Sequence, residues 1–168
     1  MESPKNPDKS LELFKQGASI LENALSGLND IELDYAPLNG GWTIRQIIHH
    51  IADGDDLWKT CIKIALGNEQ AEFTLQWYAA LPQTEWARRW SYENRSINTS
   101  LALFRINREH IVQLLECVRD WWTKSVQFRD SNGKIEMVPV GFVIQMQADH
   151  VEHHIKRILE IRKEISST

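Results

Sequence analysis

The sequence predicts an all-α protein, a four-helix bundle with a small β-hairpin before the last helix. Four stretches have apolar residues at helical spacing. Glycine and proline mark the connections between them, and an Asn-Gly pair lies between two alternating segments near residue 132. The chain has 168 residues, enough for one domain with its own apolar core and short for two. We therefore expect a single domain over residues 1–168.

The first helix is predicted to begin near Asp8 or Ser10, where the sequence LELFKQGASILENALSGL follows with apolar positions at helical spacing. It is predicted to stop at Gly27. Residues 29–41 contain one proline and two glycines, so they are expected to form a connection.

The second helix is predicted to begin after Thr43, because Thr43 and Gln46, three residues later, form a capping-box pattern. It should end at about Gly67. Residues 68–95 are rich in aromatic side chains and are interrupted by Pro82. We interpret them as short helical pieces within a long connection.

The third helix is predicted to run from Ser96, as its N-cap, to about Val118. Residues 125–138 then alternate around the Asn-Gly turn, which is typical of a β-hairpin. From Pro139 to about Ile165 the helical period returns, and proline suits the first turn of a helix. Bundles of this kind commonly place metal sites between facing helices.

Composition excludes some classes of partner. The formal net charge of -4 and the pI near 5.9 argue against a nucleic-acid partner that is bound mainly through its phosphates. There is no apolar stretch of the length that crosses a membrane and no apolar signal segment at the N-terminus, so we expect a cytoplasmic protein.

Cys61 and Cys117 are expected to be reduced, buried thiols. The seven tryptophans fit core packing or the walls of a small-molecule pocket.

The segment DHVEHHIKRI places three of the six histidines within five residues of the last predicted helix. His150 and His154 lie four residues apart, one helical turn, which is the spacing at which two histidines share one zinc ion. Apolar residues such as Val143 and Ile158 fall on the same side, so both rings are expected to point into the bundle. His153 lies at the edge of that face. The alternative is a pair of core histidines bonded to polar neighbours.

A third ligand is offered by the second helix, which contains His49 and His50. On a helical projection His50 lies about 60° from the apolar Ile47, whereas His49 lies about 160° away. We therefore predict that His50 faces the interior and that His49 is solvated. Asp53, three residues after His50, could orient a ligating ring or relay protons. It could equally be a solvated surface acid.

Two segments resemble the DinB-like family, especially its YfiT-like branch. GGWTIRQIIHHIAD, residues 40–53, resembles the entry to that family's second helix, and HVEHHIKRI resembles its closing helix. The resemblance implies an up-down-down-up four-helix bundle, often a homodimer, that binds a divalent metal through three histidines. By position these would be His50, His150 and His154. The His-Arg-Gly-Gln ending common in the family is absent here, which fits the YfiT-like branch better.

The resemblance implies an activity on small molecules at that metal site. Zinc and nickel are the first candidates for the metal. One possibility is a thiol S-transferase that uses bacillithiol, mycothiol or a similar low-molecular-weight thiol, and this is the function we expect. The others are a metal-dependent hydrolase and a non-catalytic metal-binding stress-response protein. In either enzyme Asp53 or His153 would be the candidate base.

Overall fold

The computed structural model of the chain describes residues 1–38 and 40–167. Four long helices form a bundle: α1 (Pro7–Leu25), α3 (Ile44–Gly67), α6 (Ile97–Glu116) and α7 (Val140–Ser166). Short helices lie in the connections: α2 (Asp30–Leu33), α4 (Gln76–Ala79) and α5 (Gln83–Arg89). The predicted four-helix bundle is therefore confirmed, and the short helical pieces expected between the second and third long helices are present.

Side-chain caps explain why two of the long helices begin where they do. The Thr43 hydroxyl accepts a hydrogen bond from the backbone N–H of Gln46, and the Gln46 side chain accepts one from the backbone N–H of Thr43. The hydroxyl of Ser96 likewise accepts from the backbone N–H of Asn98 at the start of α6. These bonds pair backbone donors that would otherwise be unsatisfied at the start of a helix. The predicted starts of these helices are confirmed.

The helices are arranged up-down-down-up. Helices α1 and α7 run parallel to each other, and so do α3 and α6. Hydrogen bonds at two levels of each pair show this. Between α1 and α7 they join Ser10 to Gln145 and Ala24 to Arg162. Between α3 and α6 they join His49 to Ser100 and Asp55 to Arg108. Helix α3 is antiparallel to α7, because residues near its start pack with the end of α7 and residues near its end pack with the start of α7. This arrangement brings the middle of α3 against the middle of α7.

A small sheet precedes α7. Strands β2 (Ser125–Arg129) and β3 (Ile135–Pro139) form the predicted antiparallel hairpin, and Gly133 in its turn has a φ of 84°. Strand β1 (Glu72–Thr74) pairs with β2 in parallel, so the sheet order is β1-β2-β3. The sequence analysis missed β1, since a strand of three residues is too short to show an alternating pattern.

The centre of the bundle contains a buried charge. The guanidinium of Arg108 on α6 donates to both carboxylate oxygens of Asp55, at 2.7 and 3.1 Å. It also donates to the backbone carbonyls of Phe14 and Gln147. A buried charge is tolerated when its donors are paired in this way. Gly17 on α1 lies directly against this guanidinium.

The two cysteines differ. Cys61 is buried in the core, as predicted, and burial raises the pKa of its thiol to about 12. The prediction that Cys117 is buried is wrong, because it lies exposed at the C-terminal end of α6, after the last turn that packs inward. Among the helices of the described residues, no segment combines the length and apolar character needed to cross a bilayer.

Two glycine-to-alanine substitutions in long helices should change stability in opposite directions. A Cβ atom at Gly17 would lie 2.2 Å from Nη1 of Arg108, whereas one at Gly54 would lie 3.6 Å from the nearest atom, Cε1 of His150. Gly17→Ala must displace a fully hydrogen-bonded guanidinium and should destabilise the protein by about 2 kcal/mol or more. Gly54→Ala should stabilise it by about 0.5–1 kcal/mol, because alanine favours the helix and the added methyl group makes only an ordinary van der Waals contact.

Urea denaturation of the two variants and the wild type measures both free energies of unfolding. Equal effects of the two substitutions would show that Arg108 is not held as described.

Candidate metal centre

Three histidine rings converge where α3 faces α7. Nε2 of His150 lies 3.0 Å from Nε2 of His50 and 3.2 Å from Nε2 of His154. One ligand nitrogen of each ring lies within 4.8 Å of the others, a group that could hold a metal ion. The antiparallel packing of α3 on α7 supplies the first ring, and the one-turn spacing on α7 supplies the other two. The structure therefore brings together the three residues that the sequence singled out.

The surroundings keep these rings neutral. Burial, together with the neighbouring His150 and His154, lowers the pKa of His50 to about 3. Burial also lowers the pKa values of His150 and His154 to about 4, with Arg108 adding to the effect at His150. A neutral imidazole has a free lone pair on one nitrogen, and that form binds metals.

The spacing of the nitrogens suits a divalent ion. Two nitrogens that each lie about 2.0–2.1 Å from a tetrahedral zinc ion are roughly 3.3 Å apart. The two short Nε2–Nε2 distances are close to that value. Within the described residues, Nδ1 of His50 and Nδ1 of His154 are buried and have no hydrogen-bond partner, so either Nδ1 can carry the ring proton and leave the lone pair on Nε2. The donor set fits a site with three protein ligands and room for a further one.

Asp53 does not orient the His50 ring. Its carboxylate accepts a hydrogen bond of 2.7 Å from the Tyr92 hydroxyl and lies 3.7 Å from Nη1 of Arg95. Burial raises the pKa of the Asp53 carboxyl above its usual range, while the Tyr92 hydrogen bond and Arg95 oppose that rise. Asp53 is thus half-buried near the histidines, and its role as a base stays a prediction.

The two neighbouring histidines lie outside the cluster. His153 is exposed, with its ring centroid 5.2 Å from that of His154. The prediction that His49 is solvated is wrong. Its ring is fully buried, with Nδ1 2.7 Å from the Ser100 hydroxyl and Nε2 3.2 Å from the Arg95 carbonyl. The projection placed His49 opposite Ile47 correctly, but that face of α3 is covered by α6 and by the chain before it.

A cavity of about 300 Å³ opens beside the histidines. Its lining includes His50 and His150 with Gly54, Leu57, Trp58 and Met146 of the same two helices. Leu75, Tyr78 and Ala79, from the connection between α3 and α6, also line it. A cavity of this size and apolar character is typical of small-molecule sites. Of the tryptophans, Trp58 lines the cavity, and the Trp42 ring packs edge-on against His50 with centroids 4.7 Å apart.

Comparison with known proteins identifies the family. The model of the DinB superfamily matches residues 13–158, most of the chain. This chain belongs to the DinB superfamily. The match spans both histidine-bearing helices and the cavity between them, so the resemblance seen in the two sequence motifs is confirmed.

Relatives within the DinB superfamily have similar sequences along most of their length. One from Oceanobacillus iheyensis is 30% identical over 138 residues, which are 82% of this chain and 75% of that protein. YfiT from Bacillus subtilis is 24% identical over 163 residues, 96% of this chain and 86% of YfiT. Both carry the provisional name of metal-dependent hydrolase.

Two solved structures share the fold. YfiT superposes with a TM-score of 0.82 at 23% identity over 99% of this chain and 91% of YfiT, and it is described as having an unusual four-helix bundle topology. A mycothiol-dependent maleylpyruvate isomerase superposes with a TM-score of 0.66 at 19% identity, over 91% of this chain and 60% of that longer chain. At these identities the superpositions establish the DinB fold.

Substitution of single histidines should separate ligands from neighbours. His150→Ala or His154→Ala should remove most of the bound metal, because each removes a converging nitrogen. His153→Ala and His110→Ala, both at exposed positions, should leave the metal content near that of the wild type. Metal analysis of the purified proteins measures the stoichiometry. If only the His153 variant loses the metal, then His153, and not its neighbour His154, is the ligand.

Acidification should destabilise the metal-free protein over a defined range. The pKa values of the three rings are lowered from about 6.5 when unfolded to about 3–4 when folded. Below pH 6.5 the unfolded chain therefore binds more protons, so stability is fully present above pH 6.5 and falls as the pH drops towards 4. Thermal melts at several pH values should show this fall, and a variant with His50, His150 and His154 replaced by glutamine should show less of it.

Chelation provides the matching control at neutral pH. It should lower the melting temperature of metal-loaded protein without unfolding it at room temperature, since the apolar core remains. Complete loss of helical signal on chelation would mean that the metal supplies the folding energy, as in a zinc finger.

Proposed function

We propose that this DinB-superfamily protein is a metal-dependent thiol S-transferase, with a divalent ion, zinc or nickel, held by His50, His150 and His154. One observation carries the proposal. Three neutral ring nitrogens converge beside an apolar cavity that His50 and His150 line and that is large enough for a small organic molecule. A site with three protein ligands keeps an open coordination position, which is the mark of a catalytic centre.

The ion would supply one function, stabilising the sulfur of a low-molecular-weight thiol as the nucleophilic thiolate. The chain supplies the rest. The half-buried histidines hold that position at the cavity wall, and the apolar side chains of Leu57, Trp58 and Met146 hold the second substrate and exclude water. The thiolate attacks an electrophilic carbon, a C–S bond forms, and the leaving group departs with its bonding electrons. The thiol's proton passes to Asp53, to His153 or to solvent.

A hydrolase is the second candidate, and the provisional names of the relatives favour it. In that case water takes the place of the thiol, and activity does not depend on added thiol. A third possibility is a metal-binding protein without turnover. The three candidates share the metal site and differ in what they require and release.

The experiment supplies metal-loaded protein with 1-chloro-2,4-dinitrobenzene and, in separate reactions, bacillithiol, mycothiol or glutathione. We expect chloride release and thioether absorbance that require both the thiol and the metal. His154→Ala should abolish the enzymatic rate, because it removes the metal, whereas the matched His110→Ala variant should retain it. Parallel assays with a nitrophenyl ester and no thiol test for hydrolysis.

Thiol-independent hydrolysis that is lost in His154→Ala would replace the transferase with the hydrolase. Bound metal without turnover in either assay, across the thiols tested, would support the non-catalytic protein.

A further inference from the structure

One side-chain oxygen of the cavity has no hydrogen-bond partner within residues 1–38 and 40–167. Gln147 is 3% exposed, and its Oε1 is buried without a hydrogen bond. The residue lines the cavity together with His50 and His150. It precedes His150 by three positions and His154 by seven, so the three side chains follow one stripe of α7. A buried amide oxygen without a partner costs free energy, and such groups in folded proteins commonly await a water or a ligand.

The backbone holds Gln147 in place independently of any ligand. Its carbonyl accepts a hydrogen bond of 3.1 Å from the guanidinium of Arg108, which Asp55 and the Phe14 carbonyl also hold. The side chain therefore begins from a fixed point at the cavity wall. A pre-positioned acceptor contributes more to binding than a mobile one, because less entropy is lost when the ligand binds.

The rest of the cavity limits the chemistry of its occupant. Its lining includes no aspartate, glutamate, lysine or arginine, and Gln83, its other amide, is exposed to solvent. Away from the proposed metal, whose open position the thiolate would take, a charged second substrate would lose its hydration and meet no opposite charge on the walls. The apolar walls favour a ligand with a flat or compact hydrocarbon body.

We propose that the cavity binds an uncharged, largely apolar small molecule that carries one hydroxyl or N–H group, and that Gln147 Oε1 accepts the hydrogen bond from this group. The inference deepens the proposed function, because it names the class of the second substrate, the one that receives the sulfur. Gln147 is then a specificity residue at the cavity and not a metal ligand.

The test compares indole with indene on metal-loaded protein. The two molecules have nearly the same shape, neither is charged, and only indole donates an N–H. Dissociation constants from NMR titration of the protein should show that indole binds about fivefold more tightly, the size of one net hydrogen bond. Both aromatic rings shift nearby signals by their ring currents, so indole should shift the side-chain amide signals of Gln147 in the wild-type protein further than indene does.

Two substitutions complete the test. Gln147→Met keeps the length of the side chain and removes the acceptor, so the preference for indole should disappear while the metal content is unchanged. The matched control, Gln83→Met, changes an exposed glutamine of the same cavity and should keep the preference. If Gln147→Met does not fold, the comparison of amide shifts in the wild type decides.

Equal binding of the two molecules by the wild type, binding of neither, or a preference that survives in Gln147→Met would overturn the inference. None of these measurements involves turnover. Absence of transferase activity alongside the expected indole preference would therefore reject the proposed reaction while leaving the cavity assignment intact.

Discussion

One guanidinium joins all four long helices. Arg108, on α6, is hydrogen-bonded to the Asp55 carboxylate on α3 and to backbone carbonyls of Phe14 on α1 and Gln147 on α7. The rings of Phe14 and Phe104 lie against its faces, 4.2 and 4.5 Å from the guanidinium carbon. A buried charge with so many fixed partners admits few alternative packings, because any shift of one helix leaves a donor unpaired. This packing requires a glycine at position 17, since a larger side chain would occupy the place of the guanidinium.

The metal centre depends on the same interaction in two ways. Asp55 lies five residues after His50, and Gln147 lies three residues before His150. Their hydrogen bonds to Arg108 therefore fix the distance between α3 and α7 about one turn from the converging rings. The positive charge of Arg108 also helps to lower the pKa of His150, after burial, and so favours the neutral ring that a metal requires. The three nitrogens can thus be positioned by the protein before an ion binds.

Sequence reasoning succeeded where a local pattern carries the information. The caps at Thr43 and Ser96 are read within three residues, and the one-turn spacing of His150 and His154 needs only helical geometry. It failed where contacts with a second helix determine the surroundings of a residue. The projection of α3 separated His49 from His50 correctly, yet it could not show that α6 would cover His49. The role of Asp55 could not be predicted from the sequence for the same reason, because its partner lies 53 residues away. The Gln147 amide showed no sign of function until its burial without a partner was visible.

The arrangement of acids and bases around the cluster bears on the choice between transfer and hydrolysis. A metal-bound hydroxide and a metal-bound thiolate would both be deprotonated when they attack, but in ester or amide hydrolysis a proton must also reach the leaving group, whereas a halide leaves without one. The half-buried carboxylate of Asp53 is engaged by the Tyr92 hydroxyl, lies beside Arg95, and does not line the cavity. His153 is exposed at the far side of His154. With neither of these groups among the residues that line the apolar cavity, the side chains suit displacement of a leaving group that needs no proton, which supports the thiol-dependent proposal over the hydrolytic one.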